Sequence, residues 1–276
     1  MRFAHKVSKH LLLKRAGLQG LSFPDAAIAE ESPAWPRGAT FYALPEPDRM
    51  MPRSTWVEPD HGLAVRVPPL KQATTARGHI FNTDTVVYHE SELEHRVSIV
   101  LKTYRGLAHL VSQYPKVQFK DSNGDTHTHT FDYFIQLECG TRIAIAVKYN
   151  RKREEMLQVL NQIAASGITG VGKNGQLTPG VADAVALVTE TEATFDAFEN
   201  AYFLLRSRDH HNDAECDAAL SDAESLEARF RFGELLLNCW PRAKRRTAIW
   251  RLLDMGLLVP MASGRIDELT WLRIHA

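Results

Sequence analysis

The chain is short of the features that would classify it at sight. It has three cysteines in 276 residues, Cys139, Cys216 and Cys239. They are scattered and unpaired by spacing, which argues against a disulfide framework and against a cysteine-based zinc site. Its 33 basic and 33 acidic residues cancel, so no overall field draws in a polyanion. No apolar run approaches the roughly 20 residues needed to cross a bilayer, and Leu11 to Leu13 is too short for a secretory leader. A reduced, cytoplasmic protein is expected. With 44% hydrophobic residues the chain has enough apolar side chain for a sizeable core.

What is present is unevenly placed. Nine of the 13 prolines fall before residue 80, so residues 1–80 read as an extended arm with little regular structure. From Glu190 to Glu227 eleven acidic residues face only Arg206 and Arg208, whereas from Arg229 to Arg251 seven basic residues face only Glu234. A basic block of this kind can build a phosphate-binding face on a neutral protein.

Periodicity then sets out an α/β order. Ser91-x-x-Glu94 is a capping box opening a helix of about 15 residues, with Leu93, Val97, Val100, Leu101 and Tyr104 on its apolar side. Residues 113–120 and 126–136 read as a hairpin across Ser122-Asn123-Gly124-Asp125. Residues 142–149 alternate as a strand, with Ile143, Ile145 and Val147 on one face and Ala144, Ala146 and Lys148 on the other. Helices over 152–165 and 192–206 flank a glycine-rich loop over 167–180 and a strand over 181–188. Residues 81–209 make one domain. Residues 210–276 make a second, in which 210–224 is a linker or solvated helix start. Helices over 226–240 and 243–255 and a hairpin around Ser263-Gly264 complete it.

Metal-assisted cleavage of a phosphodiester needs carboxylates converging on divalent ions and a nearby cation. Asp132 lies in the second hairpin strand and Lys148 ends the next strand, so the two can share one sheet edge. Aspartate is disfavoured within strands, which marks Asp132 as functional. Glu94 borders the apolar stripe of its helix and can face the same pocket, and the main-chain carbonyl of Val147 can add an oxygen ligand. Alone, Glu94 is also explained as a cap and Lys148 as an ordinary strand-end lysine. His127 and His129 share a strand face without an evident third ligand, and read as edge-strand histidines. Arg242, Lys244, Arg245 and Arg246 cluster on one helix, as DNA contacts or as a solvated or protein-docking face.

The ordered series Ser91-x-x-Glu94, Gln113-x-Pro115, Phe131-Asp132-Tyr133 and Ala146-Val147-Lys148 resembles the catalytic domain of TnsA-type transposon endonucleases, within the PD-(D/E)xK superfamily. The resemblance spans about residues 90–205. It implies a restriction-endonuclease-like core with a C-terminal winged-helix-like module, acting on double-stranded DNA at transposon ends. It also implies a separate transposase as partner, with an ATPase regulator as a further candidate. Carried over by position, Glu94 and Asp132 are ligands of magnesium, for which manganese can substitute, and Lys148 is the catalytic lysine. Ala146 departs from the pattern, standing where the superfamily has Glu, Asp or Gln, and its side chain is expected to share the pocket face with Lys148. Three readings stay open: a site built from Glu94, Asp132 and a carbonyl, a carboxylate migrated to Glu154 or Glu155, or a catalytically impaired DNA-binding or scaffolding subunit. A winged-helix regulator would explain the basic helix but not Glu94, Asp132 and Lys148.

Overall fold

The capping box closes as its spacing predicts: the Ser91 hydroxyl accepts the Glu94 backbone N–H at 3.2 Å and fixes the start of the first helix. The computed structural model describes residues 63–65, 78–82, 85–172, 174–237 and 239–275. The proline-rich arm expected over residues 1–80 therefore falls almost wholly outside the described residues. In chain order the elements begin with β1 (Gly78–Asn82), β2 (Thr85–His89), α1 (Glu92–Lys102), β3 (Leu107–Ser112), β4 (Lys116–Lys120), β5 (Thr126–Thr130) and β6 (Tyr133–Leu137). Next come β7 (Arg142–Val147), α2 (Arg153–Ala165), β8 (Thr169–Val171), β9 (Leu177–Thr178), β10 (Ala184–Val188) and α3 (Phe195–Asp209). The chain ends with α4 (Asp213–Ser225), β11 (Phe230–Arg231), α5 (Arg242–Met255), β12 (Leu258–Pro260) and β13 (Trp271–Ile274). The fold is mixed α/β.

The central sheet runs β10-β7-β6-β3, with β7 and β10 parallel and joined through α2, and the other pairs antiparallel. Alternation along β7 separates its faces as the sequence predicts. Ile145 and Val147 enter the apolar cluster of α1 with Leu93, Val97 and Leu101, while Ala144 and Ala146 enter the cluster of α2 with Met156, Leu160 and Ile163. A helix thus covers each face.

The expected hairpin is more than a hairpin. Strand β3, which the sequence reading missed, pairs with β6 in the central sheet, and β4 pairs with β5 in a second sheet ordered β5-β4-β8-β9. Ser112 faces Tyr133, but Lys116 faces Thr130, so the 112–116 side carries one extra residue. This is a β-bulge, and the ribbon creases there from one sheet into the other. The backbone hydrogen bonds continue across it, from Gln113 N–H to the Asp132 carbonyl at 2.8 Å and from Phe131 N–H to the Pro115 carbonyl at 3.0 Å. Gln113 takes up the distortion at φ 53°, in the left-handed region. The loop expected over residues 167–180 contains the short pair β8–β9.

The C-terminal portion differs from expectation in two places. Residues 213–225 form a full helix, capped by Asn212 and burying Cys216, Ala219 and Ala223. The helix expected over 226–240 is instead β11 followed by a 3-10 turn, Phe232–Leu236. Gly233 lies so close to the Glu268 carbonyl that a Cβ there would be 2.9 Å from it, which ties this segment to the loop before β13 rather than to a helix. The sheet is ordered β11-β13-β12 and backs onto α4 and α5. Gly256, at φ 72°, ends α5 in the left-handed conformation.

The boundary expected at residues 209 and 210 falls between α3 and α4, yet the described residues belong to one compact unit, Pro59–Ala276. Arg208 joins its two parts. Its guanidinium binds the Asp254 carboxylate at 2.7 and 2.9 Å and donates to the carbonyls of Lys102 and Thr103 at 3.0 and 2.8 Å. Arg251 also bonds the Asp254 carboxylate, and Arg105 its main-chain carbonyl. Arg208→Ala should therefore cost about 2–3 kcal/mol in chemical denaturation, and Arg208→Lys should recover only part, because an ammonium cannot fork across all three acceptors.

Candidate active site

The crease delivers Asp132 to a position no regular strand would give it. Its Oδ2 accepts the Val147 N–H at 2.7 Å, and the Lys148 ammonium lies 3.6 Å from the same oxygen. Glu94 comes from the first turn of α1, where Oε2 accepts the Glu90 N–H at 2.7 Å and Oε1 accepts the Ser91 hydroxyl at 3.0 Å. Glu94 is therefore a cap and a buried carboxylate at once. The Tyr133 hydroxyl, fully buried, lies 3.0 Å from the Glu94 carbonyl and 3.2 Å from that of Tyr88, and pins the helix start to the strand beside Asp132. Glu94, Val147, Lys148, Arg151 and Lys152 line a cleft of about 320 Å³.

Both carboxyls hold protons more tightly than usual. Glu94 is raised first by burial and then by the Asp132 charge. Asp132 is raised by burial, against the opposing pull of Lys148 and the Val147 N–H. The close lysine and the raised carboxyl point in opposite directions. Burial wins because the Asp132 side chain is 13% exposed while that of Lys148 is 38% exposed and shares its charge with water.

Among the described residues no three His, Cys, Asp or Glu side chains converge as a metal-binding group. The two carboxylates nonetheless suit magnesium, which is commonly held by one or two carboxylates and keeps several waters. A divalent cation would also offset the cost of ionising both buried groups. The histidine pair supplies no further ligand. His127 bonds Asp121 at 3.0 Å, whereas His129 is half-buried and packed edge-on against Phe131, with burial and the Lys148 charge lowering its pKa to about 4.

Several expected residues stand elsewhere. Ala146 does not open into the cleft: it is fully enclosed in the α2 cluster, where a small side chain suits close approach of the helix. Glu154 and Glu155 are exposed on the first turn of α2. Arg242, Lys244, Arg245 and Arg246 do not form one free cationic face. Arg245 is buried and bound to Glu215 and Asp222, and Arg246 is bound to Glu268. The reason is that the acidic helix α4 packs directly on α5 and supplies both partners of Arg245, while Glu268 before β13 takes Arg246. The sequence reading also missed Arg151 and Lys152, although the run Lys148-Tyr149-Asn150-Arg151-Lys152 directly after a strand was the available signal.

Two outcomes follow. A carboxyl that is raised on folding costs nothing below its ordinary value, 3.8 for Asp132 and 4.5 for Glu94, and its cost grows as pH rises through the raised value. Asp132→Asn should accordingly raise Tm by about 3 °C near neutral pH, with the gain fading in acid, and magnesium should raise the Tm of the wild type alone. Ala146→Glu should lower stability by about 3 kcal/mol in urea titration and leave magnesium affinity no tighter, because the added carboxylate enters an apolar cluster. No protein-family model and no curated protein matches the chain, so the geometry of this cleft carries the functional reading.

Proposed function

We propose that the chain is a magnesium-dependent DNA endonuclease with a restriction-endonuclease-like core and a winged-helix-like C-terminal module. The observation that carries this reading is a cleft lined by Glu94, Lys148, Arg151 and Lys152, with the Asp132 carboxylate 3.6 Å from the Lys148 ammonium. Carboxylates set beside cations complement a phosphodiester approached by a divalent cation.

Each residue then has a role. Glu94 and Asp132 would hold the cation, and the Val147 carbonyl would be a third oxygen ligand. When bound, magnesium supplies charge stabilisation at the phosphoryl oxygens. Lys148 orients the attacking water and balances the charge that develops on the phosphorus oxygens. Arg151 and Lys152 hold flanking phosphates. The Val147 N–H fixes the rotamer of Asp132, and Tyr133 and Ser91 fix the helix start that carries Glu94. The resemblance to TnsA-type endonucleases supports transposon ends as the substrate, with a separate transposase and an ATPase regulator as partners, and the scattered, unpaired cysteines support a reduced, cytoplasmic setting. Among the described residues no helix is long and apolar enough to cross a membrane.

One observation favours a second reading. With Ala146 enclosed in the core, the described site has two acidic side chains rather than three, as a scaffolding subunit that kept the fold would. Nicking of supercoiled plasmid separates the two. With magnesium or manganese, alone or with a candidate transposase partner supplied, the wild type should nick DNA. Asp132→Ala and Lys148→Ala should each lose about 100-fold or more while staying folded. Undiminished nicking by both variants overturns the assignment, and a wild type silent under every condition favours the scaffold.

A further inference from the structure

We propose that the outward face of the C-terminal sheet binds single-stranded DNA, with a base seated against Trp271 and backbone phosphates on Arg229, Arg231 and Arg273. The choice of DNA over RNA rests on the nuclease reading. The chemistry of the cleft does not depend on it.

Register places these side chains together. Phe230, Leu258 and Leu272 point inward and are buried, so Arg231, Trp271 and Arg273 point outward, since Arg231 faces Trp271 and Phe230 faces Leu272 across β11 and β13. The Arg231 and Arg229 guanidiniums lie 5.0 and 5.4 Å from the Trp271 ring centroid, yet the indole remains 40% exposed. Among the described residues Arg229, Arg231 and Arg273 have no carboxylate partner, in contrast to Arg208, Arg245, Arg246 and Arg251. Fixed cations around an exposed indole, left unneutralised in a chain of zero net charge, call for an anionic partner.

Beside the ring is a cleft of about 390 Å³ lined by Arg229, Met261, Ser263, Arg265 and Trp271, with no carboxylate in its lining. Its wall is held in place. Asn200 of α3 bonds the Gly264 carbonyl at 2.8 Å and the Ile266 N–H at 2.9 Å, and Arg265 pairs with Glu199 at 3.0 Å. A rigid cleft of this size suits one flat ring with a phosphate beside it. An acidic peptide would meet the charge but offer no flat group for the indole. A base in a duplex is already stacked on its neighbours, so the indole can reach a base face only in an unpaired strand.

The test uses the intact protein in EDTA, which prevents metal-dependent cleavage, with fluorescence anisotropy of a labelled oligothymidylate. Trp271→Ala should weaken binding about 10-fold and Trp271→Phe should retain most of it. Arg229→Ala with Arg231→Ala should reduce the slope of log Kd against log salt by about 1.4. Unchanged affinity in folded Trp271→Ala overturns the proposal, as does tighter binding of oligouridylate or preferential displacement by polyglutamate. Failure to bind oligothymidylate by a protein that nicks plasmid removes the cleft and leaves the nuclease. Binding lost through Trp271→Ala in a protein that never cleaves sustains the cleft and removes the nuclease.

Discussion

The candidate site depends on one irregularity, the extra residue that creases the β3–β6 ribbon as it becomes β4–β5. In a flat ribbon Asp132 would be one more strand residue beside its neighbours. At the crease its backbone carbonyl still satisfies Gln113, while its side chain turns to the end of β7 and takes the Val147 N–H. A bulge re-aims a side chain without giving up the strand, and here it brings one carboxylate next to a lysine from a different strand. The distortion is concentrated at Gln113, whose positive φ a side chain adopts only under constraint.

Burial and charge oppose each other around that crease. Asp132 and Glu94 sit where burial disfavours ionisation, and the Asp132 charge adds to the cost at Glu94. The surrounding hydrogen bonds do not remove this tension; they fix its geometry. Ser91, the Glu90 N–H, the Val147 N–H and the Tyr133 hydroxyl are neutral donors that orient carboxylates or the helix beneath them. Two oriented, reluctantly charged carboxylates are a poor choice for stability and a good one for receiving a cation.

Much of this was legible in the sequence, for identifiable reasons. The capping box and the alternation of β7 are local patterns, and each formed where expected; α2 also formed, burying Met156, Leu160 and Ile163. Strand β3 was missed because its six residues, LAHLVS, have two exposed positions and no clear alternation, and its partner β6 lies more than 20 residues away. Helix α4 was read as a linker because its small buried residues, Cys216, Ala219 and Ala223, make a weak stripe. The acidic and basic blocks were visible as composition, but the pairing of Arg245 with Glu215 and Asp222 is a tertiary fact. Conversely, Arg229 and Arg231 belonged to the visible basic block, but their grouping with Trp271 and Arg273 comes only from the pairing of β11 with β13.

Helix α1 links these features. Its first turn carries Glu94 and is pinned by Tyr133, while the carbonyls at its far end, Lys102 and Thr103, are held by Arg208. Eleven helical residues span only about 16 Å. The same Arg208 grips Asp254 in α5, the helix beneath the C-terminal sheet. Glu94 is therefore positioned from both ends of a stiff rod, one end tied to the strand of Asp132 and the other to the C-terminal part of the chain. A ligand that displaced α5 would have to break the Arg208 fork or carry α1 with it, and so bear on the carboxylate separation in the cleft.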